Sequence, residues 1–406
     1  MARFSYTAEK NDGEIYKGIA QARDRFELYS IVRGEGGRII SMDEEVSSSW
    51  LNFSYWNAKL STVKEYDKVL LARNLGAMLG AGLALARALG VLERQTSNKK
   101  LSSIIEQVSS DVRRGESLHS AFEKFPAVFS KLFVAMVRSG EESGDLSQTL
   151  LTIADQMERM YVLKKKIRGA MIYPSIILMA ILGIGVFMMT NVVPTLAATF
   201  AQLHAQLPMT TQIVINISNF LVNNTLLCIA GFVVLVGLFI AAIKTTVGRH
   251  TMDAVFLHTP VVGSLVRQVN AARTARTLSS LLQAGVDVIG ALEITQEVVQ
   301  NSRFKAVLTE ARASVQRGEP LSSSFVRNEK LYPSFVGEMM SVGEETGQLA
   351  EMLKRLASFY EDEVDRSTKD MSTVIEPFLM LIIGAAVGFF ALAMISPIYS
   401  LANNIN

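Results

Sequence analysis

Charge is missing from two long stretches of this 406-residue chain. No Asp, Glu, Lys or Arg lies between Gly169 and Ile243, and none lies between Pro377 and Asn406. Roughly 20 apolar residues cross the hydrocarbon core of a bilayer, so the first stretch has room for two crossings and the second for one. Cysteine is almost absent: Cys228 stands alone, which excludes an intrachain disulfide and a cysteine-built zinc site. It sits in an apolar run and reads as a small apolar residue. The four histidines (His119, His204, His250, His258) form no His-x-x-x-His pair. No Gly-x-x-x-x-Gly-Lys-Ser/Thr segment offers a phosphate-cradling loop, and no Gly-x-Ser-x-Gly elbow offers a nucleophile. The expectation is a chain that is not an enzyme and holds no cofactor.

What is present is a membrane protein with large polar parts. Spans are expected at 171–193, 221–243 and 375–399, with an external loop at 194–220 and a short tail at 400–406. Lys and Arg flank the spans on one side only: Lys164, Lys165, Lys166 and Arg168 before the first, Lys244 and Arg249 after the second, Arg366 and Lys369 before the third. The basic side is the cytoplasmic one, which puts the N-terminus inside and the C-terminus outside. The first apolar stretch begins after residue 168, so no cleavable signal peptide is expected ahead of the first domain.

The chain also contains one segment twice, offset by 203 residues. Arg73 to Gly82 matches Arg276 to Gly285. Arg114-Gly-Glu-Ser-Leu118 matches Arg317-Gly-Glu-Pro-Leu321. Gly140-Glu-Glu-Ser-Gly-Asp-Leu146 matches Gly343-Glu-Glu-Thr-Gly-Gln-Leu349, and Pro174 and Pro194 match Pro377 and Pro397. A constant offset without gaps argues for duplication of a whole structural unit. Each copy ends in a span running outward, so the middle span is the return stroke. The copies are parallel, unlike the inverted repeats of many transporters.

The fold class that follows is a mainly α membrane protein. It has two parallel repeats, each a cytoplasmic helical bundle plus a transmembrane helix, three spans in total, and a small N-terminal α+β module. That module covers residues 1–42. Phe4, Tyr6 and Ala8 alternate as in a strand, Asn11-Asp12-Gly13 is a turn, and Ile15 and Lys17 to Ala20 continue the sheet. Asp24 to Val32 reads as a helix and Arg38 to Ser41 as another strand. Residues 43–62 read as a linker whose Trp50, Phe53, Tyr55 and Trp56 rest on the following bundle, the membrane or a partner. Bundles are expected at 63–168 and 244–370. In the first, helices near 64–80, 84–95, 98–114 and 128–139 lead to a long one from 146, with breaks at Gly82, Gly115 and Gly140. Leu146, Leu150, Ile153, Met157, Met160 and Ile167 make its core-facing stripe, and Leu349, Leu353, Leu356 and Tyr360 make the second. Pro174 and Pro377 either start new helices or kink continuous ones.

The duplicated motifs supply the candidate interaction residues. Glu141, Glu142, Glu344 and Glu345 can face a basic partner, or with Asp145 offer oxygens to a divalent cation. The favoured reading is plainer: glycines end one helix and the acids suit the positive N-terminus of the next. Arg114, Glu116, Arg317 and Glu319 read equally as turn and cap residues. Gly384 and Gly388 form a small-x-x-x-small pattern that permits close helix approach between spans or subunits. Glu376, just before Pro377, is the ionisable residue nearest the membrane interior; the first copy has Tyr173 there.

In order and duplicate register, these elements resemble the F-type inner-membrane platform family of type II secretion systems and type IV pilus machines. The resemblance rests on Phe4-Ser-Tyr-Thr-Ala8, the turns at Leu79 to Gly82 and Leu282 to Gly285, both Arg-Gly-Glu turns, both Gly-Glu-Glu motifs, and Tyr173-Pro174 and Glu376-Pro377. It implies a platform in the bacterial inner membrane that forms an oligomer and works with other membrane components of its machine. It also implies docking of a cytoplasmic hexameric ATPase and delivery of pilins or pseudopilins to a filament, with no direct nucleic-acid partner. A membrane-anchored interaction or signalling scaffold is the alternative. A transporter is disfavoured by spans without charge.

Overall fold

The computed structural model describes residues 2–10, 15–22, 32, 37–45, 62–202, 208–259 and 262–404. The N-terminal unit contains three antiparallel strands, β1 (Ala2–Lys10), β2 (Ile15–Ala22) and β3 (Gly37–Glu45), in the order β2-β1-β3. Tyr6 of the central strand faces Gly18 on one side and Met42 on the other. The register of β1 with β3 shifts at Thr7/Ala8. Strand β3 runs on into the expected linker, because Asp43, Glu44 and Glu45 continue the ladder opposite Ser5, Phe4 and Arg3. As an edge strand it tolerates those charges. The expected turn at Asn11 to Gly13, the helix from Asp24 save its last residue, and the aromatic linker residues lie outside the described residues.

The larger unit is helical. Its first bundle has α1 (Glu65–Gly80), α2 (Leu85–Gln95), α3 (Lys99–Arg113), α4 (Leu118–Glu123), α5 (Lys131–Ser143) and the start of α6 (Leu146–Phe187). A π-turn, Met188–Val192, and α7 (Val193–Gln202) extend α6. Then come α8 (Met209–Asn223), α9 (Thr225–Lys244) and α10 (Thr246–His258). The second bundle repeats the first as α11 (Val262–Gln283), α12 (Val288–Val298), α13 (Ser302–Gln316), α14 (Leu321–Arg327), α15 (Ser334–Glu345) and α16 (Leu349–Asn404). Thus α1 packs on α6 as α11 packs on α16.

Three helical stretches are long and apolar enough to cross a membrane: within Leu146–Gln202, Thr225–Lys244 and Leu349–Ala393. Their side chains lie open, Leu226 at 85% and Met179 at 73% exposure. Apolar surface on that scale belongs against lipid. The stretch 194–220, expected as a loop, is helical in α7 and α8. Pro174 interrupts nothing: α6 continues through it, and α16 continues through Pro377 and Pro397.

Those prolines still remove donors. Pro397 cannot donate to the carbonyl of Ala393 four residues back. The buried Thr211 Oγ1 donates to that oxygen instead, at 2.6 Å. In the π-turn the Val193 N–H reaches Met188 O, so the next donor in that pattern would be Pro194, aimed at Met189 O. Ser218 Oγ donates there, at 2.5 Å. One helix, α8, therefore satisfies a proline-freed carbonyl in each copy. Without water, such groups must find protein partners. Val193, Val214 and Ala393 close a small apolar cluster beside them.

The bundle cores follow the same register. Phe122, Phe129 and Phe133 stack in the first; Phe325 and Tyr332 take the places of Phe122 and Phe129 in the second. The added hydroxyl of Tyr332 is fully buried and answered by Thr274 Oγ1 at 2.9 Å, where the first copy has the apolar Leu71. Two linked changes thus keep a buried polar group satisfied.

Candidate functional site

Of the three glycines expected to end helices, Gly82 (φ 84°) and Gly115 (φ 92°) do so in the left-handed region. Gly140 does not. It lies within α5, where a Cβ would come within 2.7 Å of Thr149 Cβ. Gly343 is the same within α15, with a Cβ 2.9 Å from Leu349 Cα. These glycines let α5 and α15 close onto α6 and α16; the helices end at or just before Gly144 (φ 75°) and Gly347 (φ 69°).

The acidic residues beside them do face a helix N-terminus, but not that of the next helix. Glu141 accepts from the backbone N–H groups of Leu118 (2.6 Å) and His119 (2.9 Å), at the start of α4, and meets His119 Nδ1 at 2.6 Å. Glu344 accepts from Leu321 (2.6 Å) and Ser322 (3.0 Å), at the start of α14. Leu118 and Leu321 close the Arg-Gly-Glu-x-Leu motifs, so the two motif families meet in space. The carboxylate satisfies otherwise unpaired donors and complements the helix dipole.

The Arg-Gly-Glu turns hold the other end of the same short helices. Lys124 Nζ, just past α4, bonds Glu116 at 2.6 Å and Asp111 at 2.8 Å, and Arg114 also bonds Asp111. The Lys124 and Arg114 bonds hold the Asp111 carboxyl below the usual carboxylate range. In the second copy Arg327 reaches Glu319 at 3.5 Å, and Arg317 bonds Glu319 at 2.8 Å. The Arg317 bond, then Ser314, lowers the pKa of Glu319.

The remaining candidates are not brought together. Glu142 is exposed, and Glu345 is an exposed acceptor for Ser341 Oγ at 3.2 Å. Asp145 caps α6 through Gln148 N at 3.3 Å. Among the described residues no three His, Cys, Asp or Glu side chains converge as a cation site requires. Gly384 and Gly388 face open space, so among the described residues the small-residue pattern makes no helix contact. Glu376 is exposed on α16.

A further duplicated constellation has partners that local motifs do not reveal. Arg73 on α1 bonds Glu158 (2.7 Å) and Asp155 (3.0 Å) on α6. Arg276 on α11 makes a two-pronged pair with Glu361 on α16, at 2.7 and 2.8 Å, and bonds Ser358 at 3.0 Å. Each partner is again displaced by 203. Between the long helices, Arg159 lies 3.7 Å from Glu361 and Lys166 bonds Asp365 at 2.8 Å. Arg159, Lys166 and Glu361 border a cavity of about 380 Å³ between α6 and α16. Buried Ser280 of α11 donates to Gln156 of α6 at 2.7 Å. The copies are joined by polar contacts along the helices that lead to the membrane.

Comparison with known proteins matches this duplication. Residues 71–194 and 274–397 each match the family described as "Type II secretion system (T2SS), protein F". The type IV pilus assembly protein PilC of Thermus thermophilus is 36% identical over 340 residues, 84% of each chain. PilC of Myxococcus xanthus is 30% identical over 405 residues, 100% of this chain and 96% of its own. The type II secretion system protein F of Xanthomonas campestris pv. campestris is 31% identical over 410 residues, covering all of both. With two matched copies in the register of its own internal repeat, the chain belongs to the type II secretion system protein F family.

Proposed function

We propose that this chain is the inner-membrane platform on which a cytoplasmic assembly ATPase docks, coupling that motor to insertion of pilin or pseudopilin subunits into a filament. The family is one of structural platform proteins rather than enzymes, serving pilus assembly or type II secretion, and the chain is a multi-pass inner-membrane protein. The finer reading is carried by one observation: α6 and α16 run without a break from bundle to span, past Pro174 and Pro377. A continuous helix transmits displacement that a flexible joint would absorb. The ion-paired seam between α6 and α16 makes the two move together. Arg114 and Arg317, though paired with Asp111 and Glu319, are 68% and 57% exposed and within reach of a partner on the basic, cytoplasmic side.

A flexible Gly/Ser insertion between residues 160 and 170 tests the coupling. Filament assembly is expected to stop while ATPase binding by the full chain persists. Normal assembly in that variant overturns the proposal.

A further inference from the structure

Where the bundle meets the spans, the helices line a second, open cavity of about 560 Å³. Ile167 and Met171 of α6, Phe256 of α10, Val269 of α11, and Met371 and Ile375 of α16 give it apolar walls. Arg249, Asp253 and Arg273 are its charged lining. Two of these are answered internally. Arg249 donates to the Gln300 carbonyl at 2.6 Å, and Asp253 accepts from Ser302 N (2.9 Å) and Oγ (2.8 Å) at the start of α13.

Arg273 is not answered. It makes no hydrogen bond or ion pair among the described residues, and burial alone lowers its pKa, with no counter-charge to oppose that. A half-buried guanidinium without an ion-pair partner is costly, although Asn270, Gln300 and Asn301 add polar edges to the lining. The first copy places Leu70 at the matching position, so the register does not require this arginine. The lining suits a ligand with an anionic head and an apolar body.

The surroundings say where such a ligand comes from. Helix α10 follows the span α9 directly and exposes Val247 (76%), Val255 and Phe256. Met171 is half exposed at the head of the apolar run of α6. Basic pockets between spans at headgroup depth suit acidic lipids. We infer that this cavity binds an anionic phospholipid, its phosphodiester on Arg273 and its chains along the apolar wall. The inference needs only the three spans and is independent of the motor reading.

The test uses the full chain in detergent, with melting followed as phosphatidylglycerol, phosphatidylcholine or glycerol 3-phosphate is added. Phosphatidylglycerol is expected to raise the melting temperature most, and glycerol 3-phosphate not at all. Arg273→Gln should melt no lower than wild type without lipid, yet bind phosphatidylglycerol about fivefold more weakly, the factor one basic side chain contributes near an anionic surface. Val269→Trp, which narrows the cavity along the wall beside Arg273, should blunt the response to both lipids. If Arg273→Gln does not fold, native mass spectrometry of wild type and Val269→Trp decides: phosphatidylglycerol retained on the first and lost from the second. Equal lipid responses of wild type and Arg273→Gln overturn the inference. So do equal responses of wild type to the two lipids, or a full shift from glycerol 3-phosphate, which would mark a simple anion site.

Discussion

Arg276 and Arg73 perform the same task under different solvation. Arg276 is 6% exposed and Glu361 14%, whereas Arg73 and Glu158 are 36% and 38% exposed. Breaking a buried pair from one side leaves the other charge short of a partner, here with only Arg159 at 3.7 Å, at about 3 kcal/mol; an exposed pair contributes at most about 1 kcal/mol. Arg276→Met should therefore lower the unfolding free energy of the full chain by about 3 kcal/mol and Arg73→Met by no more than about 1 kcal/mol. Equal losses would show that burial does not set the difference. Both arginines were visible as parts of the repeat, but their acids were not, because each lies 85 residues away in the chain. Only the constant offset of Glu158 and Glu361 marks them. Asp111 makes a second test. Its carboxyl is held low by Lys124 and Arg114, so its stabilisation is full above the unfolded carboxylate value, about 4. It is lost as pH falls through the still lower folded value. The melting advantage of wild type over Asp111→Asn should be constant near pH 7 and shrink in acid below about pH 4; an advantage that grows in acid would contradict the pairing.

Among elements, those with a long apolar period were legible and the short ones were not. Helices α1, α2 and α3 begin and end within a residue or two of expectation, since buried side chains such as Leu75, Leu89 and Ile105 set their faces. Helix α4 has six residues, too few for periodicity to register. It was therefore missed, and with it the reason Glu141 and Glu344 recur. Gly140 was misread as a terminator because a glycine required for close approach and one required for left-handed backbone look alike in sequence. The hydroxyls of α8 were equally silent: Thr211 lies 182 residues from the carbonyl it serves. Thr211→Val keeps the shape but strands Ala393 O, since Pro397 has no N–H to offer. The expected loss is about 1–3 kcal/mol, read as a lowered melting temperature in detergent. An unchanged melting point would show that the carbonyl has another donor.

For the whole molecule, the membrane character and the duplication could be read before any geometry, because both are written in composition and register over tens of residues. The packing of one copy on the other could not, since it depends on unlike surfaces: Lys131 of α5 pairs with Glu297 of α12 at 2.6 Å, yet their counterparts are Ser334 and Arg94. The orientation argued from Lys and Arg has a direct test, because a single change, Cys228→Ser, removes all native thiols. In that background a membrane-impermeant maleimide added to intact cells should label Asn223→Cys, just outside the Thr225–Lys244 span helix, and spare Ser143→Cys on the bundle side. The reverse pattern would invert the topology.

Helix α8 has a mechanical consequence. Through Ser218 and Thr211 it grips α6–α7 and α16 near their far ends, at the carbonyls that proline leaves free. The other ends lie in the bundles. Two rods clamped at one end to a common bar form a lever with a fulcrum. A push on a bundle swings the near end of each rod most and the clamped end least, so the stroke available to a neighbouring helix in the membrane is greatest near the bundles.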